Sequence, residues 1–429
     1  MTHSDNFVPN SPFTDDFFSQ FNEILQEANG PSEQGLLADS PYVIGMMSGT
    51  SLDGLDAVLC QFYELNDDND EPVEILATVS EDFPPDLRAA LLALTQPNGI
   101  KDFIEDNGLA FESELDVFGW ASAFYAEFAA SVVNRLLAEA QVTPDEVAAI
   151  GCHGQTVRHR PQWGFSLQLV DPNILAERTG IAVVSDFRRR DMAVGGQGAP
   201  LVPAFHKAVF GQNHTVPRAL LNLGGIANVT LLPTDANEPV IGFDTGAANL
   251  LLDAWSQRHT GQAFDHHGNW AKSGNIIVPL LELLLAHPFF ALPAPKSTGR
   301  EDFHLGWVDA LLEELNQQFP NLAYSPADVQ ATLTELTAIT ASQALLAFSE
   351  AGELFVCGGG AFNQYLMTRL ADYLPNWLVT TTDAIGLSPR WVEAVAFAWL
   401  GQQTILNEPG NLPSVTGASK PVVLGQVCF

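Results

Sequence analysis

Short apolar runs that end in small polar residues recur along the chain, and this pattern predicts strands with polar tips. The first run, Tyr42 to Met47, breaks into Ser48-Gly49-Thr50-Ser51, and a second run, Leu55 to Phe62, follows. We therefore predict a β-hairpin, with the acids Asp53 and Asp56 at or beside its tip.

The same pattern restarts in the second half of the chain. Ala219 to Leu232 is apolar on both sides of a small tip that contains Gly224 and Gly225, and a further run, Val240 to Phe243, ends at Asp244 before a predicted helix. Two halves that each begin with a glycine-tipped hairpin predict an internal duplication. If the halves face each other across a cleft, both tips would meet the phosphates of one nucleotide.

Two other predicted strands end in residues that suggest chemistry. Val147 to Cys152 runs into His153, and Leu354 to Cys357 ends in Gly358-Gly359-Gly360. Successive glycines at a strand-to-helix turn permit a flat ring to lie on bare backbone, which suits adenine or ribose. A plain tight turn would use the same residues, and the sequence leaves both interpretations open.

The first hairpin tip has the composition of a phosphate-binding loop. Small hydroxyl residues beside Gly49 let backbone N–H groups face an anion, and the acid Asp53 suggests a Mg²⁺ ion held through water. A Walker loop is excluded because no lysine is near, and a dinucleotide fingerprint is excluded because the loop leads into a strand. A plain polar turn remains the alternative.

The segment Asp186-Phe187-Arg188-Arg189-Arg190-Asp191 is the one dense basic cluster in an acidic chain. It favours a site for an anion or a sugar acid, and the alternative is a salt-bridged surface loop. A second charged segment, Lys296-Ser297-Thr298-Gly299-Arg300-Glu301, has no role that its spacing reveals.

Composition narrows the class of protein. The 429 residues carry a formal charge of −33 with 18 basic residues, which argues against nucleic acid or an anionic membrane as a partner. No apolar run is long enough to span a membrane and the amino terminus lacks a signal pattern, so we expect a cytoplasmic protein. Residues 1–40 are polar and are predicted to be a mobile extension. The four cysteines form no Cys-x-x-Cys pair and are predicted to be core thiols.

Taken in their order along the chain, the stretches above resemble the anhydro-N-acetylmuramic acid kinase family, within the superfamily of actin, hexokinase and the heat-shock chaperone ATPases. The resemblance covers about residue 41 to the end. It implies an α/β fold with two actin-like, ribonuclease-H-like domains that flank a central nucleotide cleft. The implied domains are 41–213, 214–388, and a carboxyl-terminal part, 389–429, that returns to the first domain.

The resemblance implies that water opens the 1,6-anhydro ring of 1,6-anhydro-N-acetylmuramic acid while O6 takes the γ-phosphate of ATP, in peptidoglycan recycling. It implies Asp244 as the catalytic base and a homodimer, with Mg²⁺ near Asp53. Glu393, Arg188 and His153 are the implied sugar-binding residues. The implied ATP-binding residues are Gly49, Thr50, Ser51, Leu52, Asp53, Gly54, Leu55, Asp56, Gly224, Gly225, Gly358, Gly359 and Gly360.

The sequence departs from the family pattern at Ala247-Ala248, where Pro-Gly often stands, and at Ser388, where proline is frequent. Because Ala248 keeps its backbone N–H, we expect adjusted geometry at the phosphates and not lost binding. The sequence leaves two other functions open. An ordinary sugar kinase would not consume water, and an actin-like or chaperone-like nucleotide switch would leave the Arg188 cluster without a purpose.

Overall fold

The computed structural model describes residues 40–49, 52–63, 72–96, 99–107, 111–212, 214–235 and 237–429. Apart from its last residue, Ser40, the extension predicted to be mobile therefore lies outside the described residues. The chain forms two compact units. The first runs to Ala199 and takes in Ala394–Asn411 and Ser419–Phe429, and the second comprises Pro200–Glu393 and Leu412–Ala418. The domains 41–213, 214–388 and 389–429 inferred from the sequence remain predictions.

The first unit is built on a mixed sheet. Its strands, in spatial order, are β13 (Gln426–Cys428), β7 (Val183–Ser185), β4 (Val147–Cys152), β1 (Tyr42–Met47), β2 (Gly54–Phe62) and β3 (Val73–Asp82). β1 to β3 form an antiparallel meander, whereas β4 lies parallel to β1 and β7 lies parallel to β4. A separate pair, β5 (Gln155–Arg160) and β6 (Phe165–Leu169), follows β4.

Helices cover this sheet. They are α1 (Pro85–Thr95), α2 (Gly99–Asn107), α3 (Glu114–Ala140), α4 (Pro172–Thr179), α5 (Phe187–Ala193) and most of α13 (Val392–Ile405). α13 packs against the central strands at two glycines. A Cβ at Gly45 would lie 1.9 Å from the carbonyl oxygen of Ala394, and one at Gly151 would lie 1.9 Å from that of Phe397. Only glycine permits so close an approach between helix and strand.

The second unit repeats the design. Its strands, in spatial order, are β10 (Ile241–Ala247), β9 (Ile226–Leu232), β8 (Arg218–Leu223), β11 (Gly352–Cys357) and β12 (Trp377–Thr381). β8 to β10 form an antiparallel meander, and β11 and β12 continue in parallel beside β8.

The two sheets share one connectivity. In each, three consecutive strands form a meander, and the next two core strands of the unit add in parallel beside the first strand of that meander. The order third, second, first, fourth, fifth is the same in both. The predicted internal duplication and the α/β fold class with ribonuclease-H-like halves are therefore confirmed.

The helices of the second unit are α6 (Val202–Phe210), α7 (Asn249–Thr260), α8 (Asn269–Ser273), α9 (Val278–Leu285), α10 (Leu305–Gln318), α11 (Pro326–Phe348), α12 (Gln364–Tyr373) and α14 (Pro413–Thr416). α11 begins with a capping box in which Ser325 and Asp328 bond each other's backbone N–H groups. It is buried on most of its circumference, as expected for a helix that others surround. None of the helices among the described residues is long and apolar enough to cross a membrane.

The structure differs from the sequence prediction in two places that matter for the site. β10 does not end at Phe243 but continues to Ala247, because a bulge between Asp244 and Gly246 lets the strand keep its pairing with β9. The cluster Asp186–Asp191 lies mostly within the short helix α5 and is not a loop. Of the four cysteines, Cys60, Cys152 and Cys357 are buried free thiols, and Cys428 is partly buried.

Candidate functional site

The first hairpin tip is anchored from beneath. The buried hydroxyl of Ser48 donates to the carbonyl of Gly154 at 3.2 Å and lies 3.3 Å from the hydroxyl of Tyr125. On the far side, Leu52 adopts a left-handed backbone conformation with φ 60° and its side chain is buried. Thr50 and Ser51, predicted to bind ATP, lie outside the described residues.

Asp53 is the exposed carboxylate of this tip, with 69% of its side chain accessible. Arg88 holds it in place, since one guanidinium nitrogen lies 3.3 Å from Asp53 and Nε donates to the carbonyl of Leu52 at 2.8 Å. No group of three metal-ligating side chains occurs among the described residues. Mg²⁺ usually binds one or two carboxylates plus phosphates and keeps several waters, so a single exposed carboxylate fits a water-mediated contact.

The next three residues predicted to bind ATP lie in β2. The side chain of Leu55 is buried in the core. Packing explains the glycine at position 54, because a Cβ there would lie 2.2 Å from the carbonyl oxygen of Glu81. Asp56 is partly buried and pairs in register with Met47 of β1. A ligand at this strand would therefore meet its backbone or Asp56, not Leu55.

The second hairpin tip contacts the start of α7. The carbonyl of Gly225 accepts hydrogen bonds from the N–H groups of Ala248 and Leu250, and the carbonyl of Gly224 accepts one from Asn249, all at 3.0 Å. Ala248 is fully buried. The N–H of Ala248, which we expected to face phosphate, is therefore bonded within the protein in this structure.

Packing requires two of the three glycines in the turn after β11. A Cβ at Gly358 would lie 2.4 Å from the side-chain oxygen of Asn222, and one at Gly360 would lie 2.5 Å from Cβ of Leu223. Gly359 is exposed and has room, with its nearest neighbour at 3.4 Å. Of the three, Gly359 is exposed, Gly358 is partly buried and Gly360 is buried.

Asp244 lies at the bulge in β10. Its N–H donates to the carbonyl of Lys296 at 2.9 Å, and the N–H of Thr298 donates to its Oδ2 at 2.9 Å. Burial raises the pKa of the Asp244 carboxyl from 3.8 to about 7, although the bond from Thr298 lowers it somewhat. A carboxyl with this pKa exchanges a proton near neutral pH, which is the property required of a general base.

The contact of Thr298 with Asp244 was not predicted from the sequence, although the segment of Thr298 was singled out. Its hydroxyl donates to Oδ2 of Asp302 at 2.7 Å, and the N–H of Asp302 donates to the carbonyl of Gly299 at 3.2 Å. The density of glycine, hydroxyl and charged residues in 296–302 was the available signal.

In the first unit, the structure brings His153 and Arg188 together. A guanidinium nitrogen of Arg188 donates to Nε2 of His153 at 2.8 Å, and another donates to the carbonyl of Gly198 at 2.9 Å. Burial and the positive charge of Arg188 hold the pKa of His153 well below its usual range, so the ring is neutral. Because Nε2 accepts, the proton of the ring is on Nδ1, which has no hydrogen-bond partner among the described residues.

The loop behind Arg188 is fixed by a second aspartate. The fully buried Asp191 accepts hydrogen bonds from the N–H of Gly198 at 2.8 Å and from the side-chain amide of Asn411 at 2.7 Å. Arg189 pairs with Asp186 in the same helix. Of the predicted basic cluster, Arg188 is thus the member that the fold holds against His153.

Glu393 is the second residue of α13, and it is partly buried. Its charge adds to the effect of burial in raising the pKa of the Cys357 thiol, which places the carboxylate near the end of β11. Glu393 belongs to the second unit, whereas His153 and Arg188 belong to the first.

Comparison with known proteins identifies the family. A family model described as anhydro-N-acetylmuramic acid kinase matches residues 41–429. The chain belongs to the anhydro-N-acetylmuramic acid kinase family. The resemblance inferred from the motifs is therefore confirmed.

Two relatives of the anhydro-N-acetylmuramic acid kinase family illustrate the match. One with that name from Psychrobacter cryohalolentis is 60% identical over 408 residues, covering 91% of this chain and 95% of the relative. Another from Saccharophagus degradans is 46% identical over 389 residues, covering 90% and 98%.

A solved structure of a ROK family glucokinase from Streptomyces griseus, in complex with glucose and AMPPNP, is 15% identical with a TM-score of 0.36, covering 84% of this chain and 99% of that one. A TM-score this low supports no inference, so the family assignment rests on the sequence matches.

Proposed function

We propose that this protein is an ATP-dependent kinase that opens the 1,6-anhydro ring of 1,6-anhydro-N-acetylmuramic acid with water and phosphorylates O6. The products are N-acetylmuramic acid 6-phosphate and ADP, within peptidoglycan recycling. The family match over residues 41–429 supports the substrate and the reaction. The single observation of the structure that carries the proposal is the carboxyl of Asp244, whose pKa is raised to about 7 at the bulge in β10.

The proposed reaction balances in atoms and electrons. The oxygen of water bonds to C1 as the C1–O6 bond breaks, and the electron pair of that bond stays on O6. O6 then bonds to the γ-phosphorus while the bond between that phosphorus and the β-phosphate oxygen breaks to release ADP. The proton of the attacking water goes to the carboxylate of Asp244, which acts as the general base.

ATP is the proposed phosphate donor, and the two hairpin tips are its proposed phosphate-binding segments. In the first tip these are the residues from Gly49 to Asp56, and in the second they are Gly224 and Gly225. Because the carbonyls of Gly224 and Gly225 already accept the N–H groups at the start of α7, the tip and the helix form one bonded unit. The turn 358–360 is the proposed adenosine contact, through the open backbone of Gly359.

Mg²⁺ is the proposed metal, and Asp53 would hold it through water. Its exposed carboxylate, fixed by Arg88, supports this assignment. When bound, Mg²⁺ neutralises charge that develops on the transferred phosphoryl group.

The sugar-binding residues proposed are Arg188, His153 and Glu393. The guanidinium of Arg188 suits the lactyl carboxylate of the substrate, because arginine binds carboxylates with paired donors. The Nδ1–H of neutral His153 is a buried donor that needs an acceptor, and an oxygen of the sugar would supply one. We also propose that the kinase is cytoplasmic, where its co-substrate ATP is found, and that it is a homodimer as its family resemblance implies.

The proposal is tested by ADP release with Mg²⁺-ATP and the anhydro sugar in water enriched with ¹⁸O, sampled early, for the native chain and Asp244→Asn. We expect label at C1 of a 6-phosphorylated product, and its loss in Asp244→Asn. The matched control is Asp309→Asn, which removes an exposed ion pair with Arg258 and should leave activity unchanged.

Each alternative function predicts a different result. An ordinary sugar kinase would phosphorylate free N-acetylmuramic acid and leave the anhydro sugar intact. A nucleotide switch would release ADP at the same slow rate with and without sugar. Either result would overturn the proposed function.

A further inference from the structure

The segment 296–302 makes two hydrogen bonds with Asp244, one as acceptor and one as donor. The carbonyl of Lys296 accepts the N–H of Asp244 at 2.9 Å, and the N–H of Thr298 donates to Oδ2 of its carboxylate at 2.9 Å. One bond fixes the backbone of Asp244 and the other fixes its side chain. A rotation of the carboxylate would therefore break the bond to Thr298.

Thr298 is itself held by Asp302. The hydroxyl of Thr298 donates to Oδ2 of Asp302 at 2.7 Å, and the N–H of Asp302 donates to the carbonyl of Gly299 at 3.2 Å. The turn is anchored by the next residue, Phe303, which is fully buried and packs against Phe290 at 5.7 Å between ring centroids. The side chain of Asp302 thus restrains Thr298, the residue whose N–H bonds Asp244.

The other end of the segment is tied to the same aromatic cluster. The ammonium of Lys296 donates to the carbonyls of Phe289 at 3.1 Å and Phe290 at 3.3 Å, and it lies 4.5 Å from the centroid of the Phe289 ring. The ring of Phe290 also lies against the bulge of β10, because a Cβ at Gly246 would be 2.8 Å from it. Both ends of the segment are therefore fixed relative to Asp244.

The arrangement leaves one oxygen of Asp244 for chemistry. Oδ2 is bonded to Thr298, whereas no donor among the described residues reaches Oδ1. A general base must be held in the productive orientation and within hydrogen-bond reach of the proton that it accepts.

We propose that Thr298 and Asp302 are positioning residues for Asp244: Asp302 orients Thr298, and the N–H of Thr298 holds the carboxylate so that Oδ1 faces the attacking water. This inference rests on the proposed function for its kinetic consequence, but its geometric part does not. In this role both residues act through Asp244.

The test compares Thr298→Val and Asp302→Asn, which each weaken the bond between hydroxyl and carboxylate, with Thr298→Ser, which keeps it. We expect kcat for the anhydro sugar to fall roughly tenfold or more in the first two, with KM within about twofold of the native value, since small misplacements of reacting groups have effects of this size. Thr298→Ser should retain most of the native kcat. Thr368→Val is the matched control, because it also removes a hydroxyl that donates a hydrogen bond, here to the carbonyl of Gln364, at an exposed position of α12.

Two further readouts separate positioning from general damage to the fold. In an Asp244→Asn background, Thr298→Val should cause no additional loss of kcat. A ¹³C NMR titration of the Asp244 carboxyl, assigned by its absence in Asp244→Asn, should give a higher pKa in Thr298→Val than in the native chain, because the fixed donor favours the charged form.

The outcomes distinguish the two proposals. If the native chain does not turn over the anhydro sugar, the proposed function fails, and the NMR titration still decides whether Thr298 and Asp302 position the carboxylate. If the native chain is active but kcat and the pKa of Asp244 are unchanged in Thr298→Val and Asp302→Asn, the positioning role is wrong. A loss in Thr298→Ser as large as that in Thr298→Val would also overturn it.

Discussion

Two aspartates with limited access to water, one in each unit, show how the number of donors decides the role of a carboxylate. Asp191 is fully buried and accepts the N–H of Gly198 and the amide of Asn411. Asp244 is partly buried, and the N–H of Thr298 is the one donor to its carboxylate within the part of the chain that the structure describes. A carboxylate with several fixed donors holds structure, whereas one with a bare oxygen and a pKa raised to about 7 is able to exchange a proton.

The largest expected effect is on catalysis at Asp244. Asp244→Asn keeps the shape of the side chain and removes the base, so we expect kcat to fall by about 10² to 10⁴, the usual contribution of general base catalysis. Thermal unfolding should show no loss of stability, because a partly desolvated carboxyl is replaced by a neutral amide. If Asp244→Asn lowered stability as well as activity, Asp244 would have a structural role like that of Asp191. The contrast between the two aspartates would then be wrong.

The next effect is on stability at Asp191. Asp191→Ala leaves the N–H of Gly198 and the amide of Asn411 without their acceptor, at about 1–3 kcal/mol for each buried donor. We therefore expect the free energy of unfolding in urea to fall by roughly 3 kcal/mol. Asp309→Ala, at an exposed ion pair, should change it by less than about 1 kcal/mol. Equal effects in the two variants would contradict the structural role of Asp191.

Asp244 should make the stability of the protein depend on pH, and the direction of that dependence follows from its raised pKa. Its pKa is raised from 3.8 to about 7, so the folded state binds more protons than the unfolded state between these values. The contribution of Asp244 to stability is fully present below about pH 4 and is lost as the pH rises through about 7. We expect the free energy of unfolding of the native chain, relative to Asp244→Asn, to decrease over this range when measured in urea at each pH. A difference that stays constant with pH would show that the pKa of Asp244 is not raised.

The sequence predicted the parts of the fold that depend on neighbouring residues. The two hairpins follow from apolar runs separated by small tips. The prediction that the strand ends just before Asp244 was wrong, because β10 continues through Asp244 to Ala247. The duplication then followed from the repeat of the hairpin pattern, and the two matching strand orders confirm it.

What the sequence could not reveal depends on tertiary contacts. Thr298 lies 54 residues from Asp244 in the chain, and only the folded sheet brings its N–H to the carboxylate. The bulge that prolongs β10 has no local signal, because it depends on pairing with β9. Gly358 and Gly360 are explained by contacts with β8, which no pattern within their own turn indicates.

The smallest expected effect is the loss of stability when a side chain is added next to Asp191. A Cβ at Gly196 would lie 2.1 Å from Oδ2 of Asp191, which cannot move without breaking its bond to Gly198. Gly196→Ala should therefore lower the free energy of unfolding by about 1–3 kcal/mol, the range for overpacking a filled site. Gly359→Ala is the control, because its Cβ would lie 3.4 Å from the nearest atom and should meet only ordinary contact. If Gly196→Ala were tolerated as well as Gly359→Ala, Asp191 would have room to move, and its carboxylate would not be the fixed partner that distinguishes it from Asp244.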